Sequence, residues 1–215
     1  PQIFTRTLTA QDAMRSGPTV NARVGFGLRC GVEHGKTQRV SDKPSMAFVA
    51  LGGNLGDAAA TLREAAAEIA GWSSARALGS SLWRTEPVDC PPGSPSFLNA
   101  ALGLQPKPGA TPESLLDDLL ALEARLGRTR SGLANAPRVI DLDLIVFGIE
   151  TRATPTLTLP HPRAHQRAFV LAPLDEIAPG LVLPGQQKTV TELLAALGQA
   201  GEVLKTEPLM NANKH

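Results

Sequence analysis

Two aspartates, Asp141 and Asp143, stand two residues apart in the run Pro137-Arg138-Val139-Ile140-Asp141-Leu142-Asp143-Leu144-Ile145-Val146-Phe147. On a strand, residues i and i+2 share a face, so the two carboxylates project side by side while Leu142 and Leu144 enter the core. Adjacent carboxylates repel each other and are costly to bury unpaired. A hard cation such as Mg²⁺ removes that difficulty, because it characteristically takes one or two carboxylates and completes its shell with phosphate oxygens and water. The other reading is an edge strand carrying two solvated acids, and a bare Asp-x-Asp is too common to decide between them. Four arginines, Arg125, Arg128, Arg130 and Arg138, crowd the segment just before the acids. Guanidinium forks match phosphate oxygens and stay charged at any working pH. An acid pair beside an arginine-rich loop suits a nucleotide triphosphate with its cation, whereas pairing with Asp117 and Glu123 would make the same arginines a surface ion-pair cluster. No Walker A loop occurs, and Gly52-Gly53-Asn54-Leu55-Gly56 is too loose for a dinucleotide fingerprint. His161 lies between Pro160 and Pro162, in a turn where a lone histidine is ordinarily solvated. Cys90 sits in a proline-rich loop with no spacing that links it to a histidine, which argues against a cysteine nucleophile.

The elements that must position these groups follow from periodicity. Met46-Ala47-Phe48-Val49-Ala50-Leu51 is an apolar run of strand length ending in Gly52-Gly53, and predicts a first strand over 46–52. Asp57 is placed to cap a helix reaching about Ala70, with Leu62, Ala65, Ala66 and Ile69 as its apolar stripe. A second strand is expected over 76–84 and a third over Phe97–Leu104. Thr111-Pro112-Glu113 opens a second helix that runs to about Leu126 and stops at Gly127. Val139–Phe147 is the fourth strand. The order βαββαβ with right-handed crossovers gives an α+β, ferredoxin-like domain: an antiparallel sheet with both helices on one face. A C-terminal extension follows, with an extended segment at Thr156–Leu159 and helices near Ala168–Glu176 and Val190–Leu197.

Composition bounds the class. Of 215 residues, 42% are hydrophobic and 19% charged, which fits a globular chain. No apolar stretch approaches the roughly 20 residues of a membrane span, and a formal charge of +1 gives no reason to expect a nucleic-acid partner. Cys30 and Cys90, without a signal-peptide pattern, are expected as reduced thiols in the cytoplasm. Residues 1–45 show no sustained period of 2 or 3.6. They are expected to be disordered or an upstream extension, with Met46 as the natural start, 46–209 as the domain and 210–215 as a tail.

Six segments taken together resemble one family. Phe48–Asp57 with its Gly-Gly-Asn-Leu-Gly, Arg84-Thr85-Glu86-Pro87, Phe97-Leu98-Asn99-Ala100, Pro137-Arg138-x-x-Asp141-Leu142-Asp143-Leu144, Leu159-Pro160-His161 and Arg167-Ala168-Phe169-Val170-Leu171-x-Pro173-Leu174 are similar, in order and spacing, to 6-hydroxymethyl-7,8-dihydropterin pyrophosphokinases. The resemblance covers about 46–200. It implies a ferredoxin-like fold and transfer of pyrophosphate from ATP to the pterin hydroxymethyl group, with release of AMP. By position it implies that Asp141 and Asp143 hold two Mg²⁺ ions and that Gly52, Thr85, Val88, Phe97, Asn99 and Phe169 form the pterin pocket. Phe97 and Phe169 would sandwich the ring, and the Asn99 amide would meet its polar edge. Arg128, Arg138, His161 and Arg167 correspond to phosphate contacts, Arg128 and Arg138 being catalytic, and Glu123, Arg130, Leu144 and Thr158 to the nucleotide site. It further implies a monomer acting on small molecules, with loops 85–96 and 128–137 as lids.

The chain also departs from the family pattern. Ala134 and Asn135 stand where many members carry a basic residue and a tryptophan, Thr156 replaces an arginine, Glu86 a common proline and Gly53 a common serine. Two rivals make different demands. A nucleotidyl- or glycosyltransferase using the acid pair would release UMP or pyrophosphate rather than AMP. An RNA-recognition module shares the element order but displays several aromatics and basic character, whereas aromatics here are 4% and tyrosine is absent.

Overall fold

In the computed structural model, residues 45–87, 90–129, 136–198 and 203–210 are described. The expectations for residues 1–44, Val88, Arg130, Ala134, Asn135 and the end of the tail lie outside them. The described residues all belong to one compact unit.

The first strand is β1 (Ala47–Gly53), followed by α1 (Ala58–Gly71), whose first turn is capped by the Asp57 carboxylate accepting from the Ala60 N–H at 3.0 Å. Instead of one strand over 76–84 there are two short ones, β2 (Leu78–Gly79) and β3 (Ser81–Thr85). Ser80 divides them: its hydroxyl, rather than a strand carbonyl, accepts the Ala101 N–H at 2.9 Å, so the ladder jumps a residue. Next come β4 (Phe97–Leu104) and α2 (Pro112–Arg125), the latter started by a Thr111–Ser114 capping box with Pro112 at the position where a missing N–H costs nothing. The fourth expected strand, β5, is shorter than predicted, Asp141–Phe147. After it lie a small hairpin, β6 (Arg152–Ala153) and β7 (Thr158–Leu159), a 3₁₀ turn at Ala164–Gln166, then α3 (Ala168–Ile177), α4 (Val190–Leu197) and β8 (Val203–Pro208).

The chain is thus mixed α and β around an antiparallel sheet. Its strand order is β5-β1-β4-β3-β8, with β2 also paired to β4, and every pairing is antiparallel. The sheet has an apolar core on each face. One gathers Leu62, Ile69, Leu115, Leu119 and Leu122 of α1 and α2 against Leu51, Leu102, Leu142 and Leu144. The other gathers Val170, Leu171 and Leu174 of α3 and Val190 and Leu193 of α4 against Phe48, Ala101, Ile145 and Val146. Period-2 alternation along β1, β4 and β5 supplies both faces at once.

Two devices shape the α3-bearing face. Between Phe48 and Val49 the β1–β5 register shifts, leaving Ile145 as an extra residue. This bulge sends both Ile145 and Val146 to the α3 side, and the Ile145 carbonyl accepts the His161 N–H at 2.8 Å. Farther along, Glu176 of α3 accepts hydrogen bonds from the Ser81 N–H (2.9 Å), the Ser81 hydroxyl (2.9 Å) and the Trp83 indole (3.1 Å), and it pairs with Lys205 of β8. Desolvation pushes its carboxyl upward, but these donors outweigh it and the net shift is below the usual glutamate range. A depressed folded value contributes stability at neutral pH that is lost as acid protonates the group. Glu176→Ala should therefore cost about 1–2 kcal/mol at pH 7 and progressively less below pH ~4, as read by chemical denaturation across pH. A cost that did not shrink with acid would show that packing, not charge, holds this joint.

Candidate active site

The helices α3 and α4 leave one end of the second sheet face uncovered, and the side chains there are polar. Gly52 pairs with Asn99 on one side and with Asp141 on the other, and Asn99 pairs with Trp83. Asp141, Gly52 and Asn99 therefore form a row across three strands, with Asp143 one step along the face from Asp141. Gly52 keeps the middle of the row open: a Cβ there would stand 3.3 Å from Asn99 Oδ1. Around the row is a cavity of about 270 Å³, lined by Gly52, Thr85, Phe97, Asn99 and Phe169 together with Asp141, Asp143, Arg128, Arg138, His161 and Arg167.

Each polar group is held by identifiable neighbours. Asn99 is buried and donates to the Thr85 hydroxyl at 2.8 Å, which leaves its Oδ1 on the Gly52 side. Arg138 Nη1 donates to Asp141 Oδ2 at 2.6 Å, and Arg128 donates to Asp141 Oδ1. The Arg138 guanidinium lies 6.0 Å from the Phe97 ring centroid, and that of Arg167 5.4 Å from the Phe169 centroid, so each cation sits over one aromatic. Arg138 Nε is buried without a partner among the described residues.

Charge on this face is unevenly distributed. Asp143 is half-buried, and desolvation first and the neighbouring Asp141 second push its carboxyl above the usual aspartate range, against the pull of His161, Arg167 and Arg128. Burial pushes His161 below the ordinary histidine value. Its Nδ1 accepts the Arg163 N–H at 3.3 Å, an arrangement that suits the neutral imidazole with its proton on Nε2. Two oxygen-donor carboxylates on one strand face, one of them held above its normal range by burial and then by the other, fit a hard divalent cation that takes its remaining ligands from phosphate and water. Among the described residues no cluster of three or more acidic, histidine or cysteine side chains offers a closed metal cage.

Other residues singled out from the sequence stand outside the cavity wall. Glu123 is buried at the end of α2, where it accepts from the Leu142 N–H at 2.7 Å and from Arg128, so it holds the arginine that reaches Asp141. Desolvation pushes its carboxyl up, opposed by the Leu142 and Arg128 contacts. Leu144 is buried in the α1/α2 core, and Thr158 is exposed on β7. Three cavity residues had not been assigned a role. Arg163 follows His161 by two positions, Glu86 follows Thr85 and accepts from the Ser96 hydroxyl at 3.0 Å, and Cys90 joins the wall from the proline-rich loop. Adjacency to His161 is the available signal for Arg163, and membership of the expected lid loop 85–96 is the signal for Glu86 and Cys90.

Comparison with known proteins addresses the family of the chain. The family model for 7,8-dihydro-6-hydroxymethylpterin-pyrophosphokinase matches residues 48–179. A 2-amino-4-hydroxy-6-hydroxymethyldihydropteridine pyrophosphokinase of Methylorubrum extorquens is 40% identical over 156 residues, covering 72% of this chain and 95% of the relative. A protein of the same name from Synechocystis sp. is 38% identical over 148 residues, covering 69% of this chain and 74% of the relative. Among solved structures, wild-type Plasmodium falciparum HPPK-DHPS aligns with a TM-score of 0.54 at 13% identity, covering 71% of this chain but only 44% of that longer one. The last likeness speaks to fold alone; the family match and the first two relatives establish that this chain belongs to the 7,8-dihydro-6-hydroxymethylpterin-pyrophosphokinase family.

Proposed function

We infer that the cavity between β5, β1 and β4 is the seat of this chain's activity. The chain is an enzyme of folate biosynthesis, a pterin pyrophosphokinase that transfers a pyrophosphoryl group from ATP. The observation that carries the assignment of the site is the row Asp141–Gly52–Asn99, which sets an acid pair and a buried amide on one sheet face with cations and aromatics around them. We read the domain as ferredoxin-like with a C-terminal extension. The order of β5, β1, β4 and β3, with α1 and α2 on one face, supports the first part, and the return of the chain through α3, α4 and β8 the second.

In the proposed mechanism the pterin ring lies between Phe97 and Phe169, with its polar edge at Asn99. Its hydroxymethyl oxygen attacks the β-phosphorus of ATP. The new bond is O–Pβ, the bond from Pβ to the α,β-bridging oxygen breaks, that oxygen leaves on AMP, and the hydroxyl proton is released to water. The residues position and neutralise rather than form a covalent intermediate. Arg128, Arg138 and Arg167 place guanidinium donors, and His161 a neutral N–H, where phosphate charge develops. Asp141 and Asp143 would hold two Mg²⁺ ions, which supply charge neutralisation at the phosphate oxygens. Glu123 steadies Arg128, Leu144 backs the acid-bearing strand from the opposite core, and Arg130, Val88 and Thr158 complete the two substrate subsites in this reading. We read the enzyme as a cytoplasmic monomer acting on small molecules, and the formal charge of +1 favours no polyanionic partner.

Incubation with ATP, Mg²⁺ and 6-hydroxymethyl-7,8-dihydropterin should release AMP and the pterin pyrophosphate in equal amounts. Phe97→Ala or Phe169→Ala should weaken pterin binding by about 1–3 kcal/mol, from lost stacking and apolar contact. Mg²⁺-nucleotide affinity, measured by calorimetry, should stay within about twofold. Equal loss of both ligands would refute the assignment of the aromatics.

A further inference from the structure

We propose that Asn54 is a positioning residue, whose single buried amide sets the two ligand-bearing segments of the site relative to each other. Asn54 follows directly on β1 and is 7% exposed. Its Oδ1 accepts the Arg138 N–H at 2.9 Å, and its own backbone N–H donates to the Arg138 carbonyl at 2.9 Å, so Asn54 and Arg138 exchange a reciprocal pair of bonds. Its Nδ2 donates to the Pro95 carbonyl at 3.0 Å. One partner can only donate and the other can only accept, so a single orientation of the amide satisfies both. Gly53 allows the approach, since the Val139 carbonyl oxygen lies 2.5 Å from where a Cβ on Gly53 would stand.

The two clasped segments carry different parts of the chemistry. Pro95 lies two residues before Phe97, the first residue of β4 and an aromatic wall of the cavity. Arg138 itself extends to Asp141 at 2.6 Å and lies over the Phe97 ring. Both segments leave the regular sheet, so neither is fixed by ladder hydrogen bonds at these positions, and the Asn54 side chain replaces such bonds for both. A buried amide with both halves paired holds its neighbours far more firmly than a solvated loop contact would. No other amino acid supplies an acceptor and a donor at this reach: aspartate keeps the acceptor for the Arg138 N–H but sets a negative oxygen against the Pro95 carbonyl, and alanine keeps neither.

This inference rests on the assignment of Phe97 to the pterin and of Arg138 to the phosphates, and the experiment separates the two. Affinity for 6-hydroxymethylpterin and, separately, for Mg²⁺ with an α,β-methylene analogue of ATP is measured for the wild-type chain, Asn54→Asp, Asn54→Ala and Phe97→Ala. Thermal melting confirms that each variant is folded. Asn54→Asp should raise the pterin dissociation constant about tenfold and change that of the nucleotide analogue less than about twofold. Asn54→Ala should weaken both ligands and lower kcat about tenfold or more. If Phe97→Ala weakens the pterin while Asn54→Asp leaves it unchanged, or weakens both ligands equally, the positioning role is overturned and the site assignment stands. If Phe97→Ala leaves the pterin unaffected, the assignment itself fails. A failure of Asn54→Asp and Asn54→Ala to fold would make Asn54 a fold residue and would likewise overturn the proposal.

Discussion

Asp143→Ala should lower Mg²⁺-dependent AMP release by roughly 10²–10³-fold, on the scale found when one preorganised charge-stabilising group is removed from a site. The expectation follows from placement: Asp143 and Asp141 share one face of β5 at the open end of the α3 side. Removing either leaves a single carboxylate, and the double Asp141/Asp143 alanine variant should be at least as slow. Pterin affinity, which the proposed reading assigns to the other side of Gly52, should fall much less. A second readout separates chemistry from folding. Burial, and then Asp141, raise the Asp143 carboxyl above the usual aspartate range. A group whose folded value is raised favours the fold at pH below its unfolded value, near 4, and that contribution disappears as pH rises through the folded value. At pH 7 the acid is therefore a liability in the metal-free chain. Asp143→Asn should melt higher than wild type at pH 7 without metal, with the difference vanishing near pH 4. A variant that keeps near-normal turnover, or that melts lower at pH 7, would contradict the role given to the acid pair.

Arg138→Ala is expected to cost turnover roughly 10²-fold or more, with a smaller effect on metal affinity. Arg138 is tied by its backbone to Asn54 and by its guanidinium to Asp141, and its buried Nε has no partner among the described residues. The alanine variant keeps the backbone bonds, so the segment stays in place while the charge is lost. Arg138→Lys should recover little, because an ammonium cannot reach Asp141, the phosphates and the Phe97 face with one planar fork. Steady-state kcat for the three forms, with AMP quantified, decides the matter. Full recovery in the lysine variant would reduce Arg138 to a point charge and remove the geometric role.

What was legible in the sequence, and what was not, divides along physical lines. The shared face of Asp141 and Asp143 follows from the period of an extended chain, and β5 carries them as that period requires, with Leu142 and Leu144 in the opposite core. Helix starts at Asp57 and Thr111 were equally local, because the cap lies within a few residues of the N–H it satisfies. The split at Ser80 was hidden, since it depends on a hydroxyl bonding to Ala101 across the ladder. β8 was not foreseen because five of its six residues are exposed, which removes the alternation that marks a half-buried strand. In the sequence Asn54 shows only as part of a glycine-rich turn: its partners are 41 and 84 residues away, and no spacing announces them. Phe169 and Arg167 joined the expected site through family resemblance, and the α3 start places both on the cavity wall.

The missing side chain at Gly52 has a metric consequence. Neighbouring strands are held about 4.8 Å apart by their hydrogen bonds, so the backbones of Asp141 and Asn99, separated by β1 alone, lie about 10 Å apart whatever side chains surround them. In the proposed reading that interval works as a gauge block between the end assigned to phosphate and the end assigned to the heterocycle. An acceptor whose alcohol is set one carbon farther from its ring would still stack and still meet Asn99, yet overshoot the phosphorus. Selectivity for acceptor length would then be written in the pitch of the sheet rather than in any residue, and point substitution in the wall could loosen the grip without altering the measure.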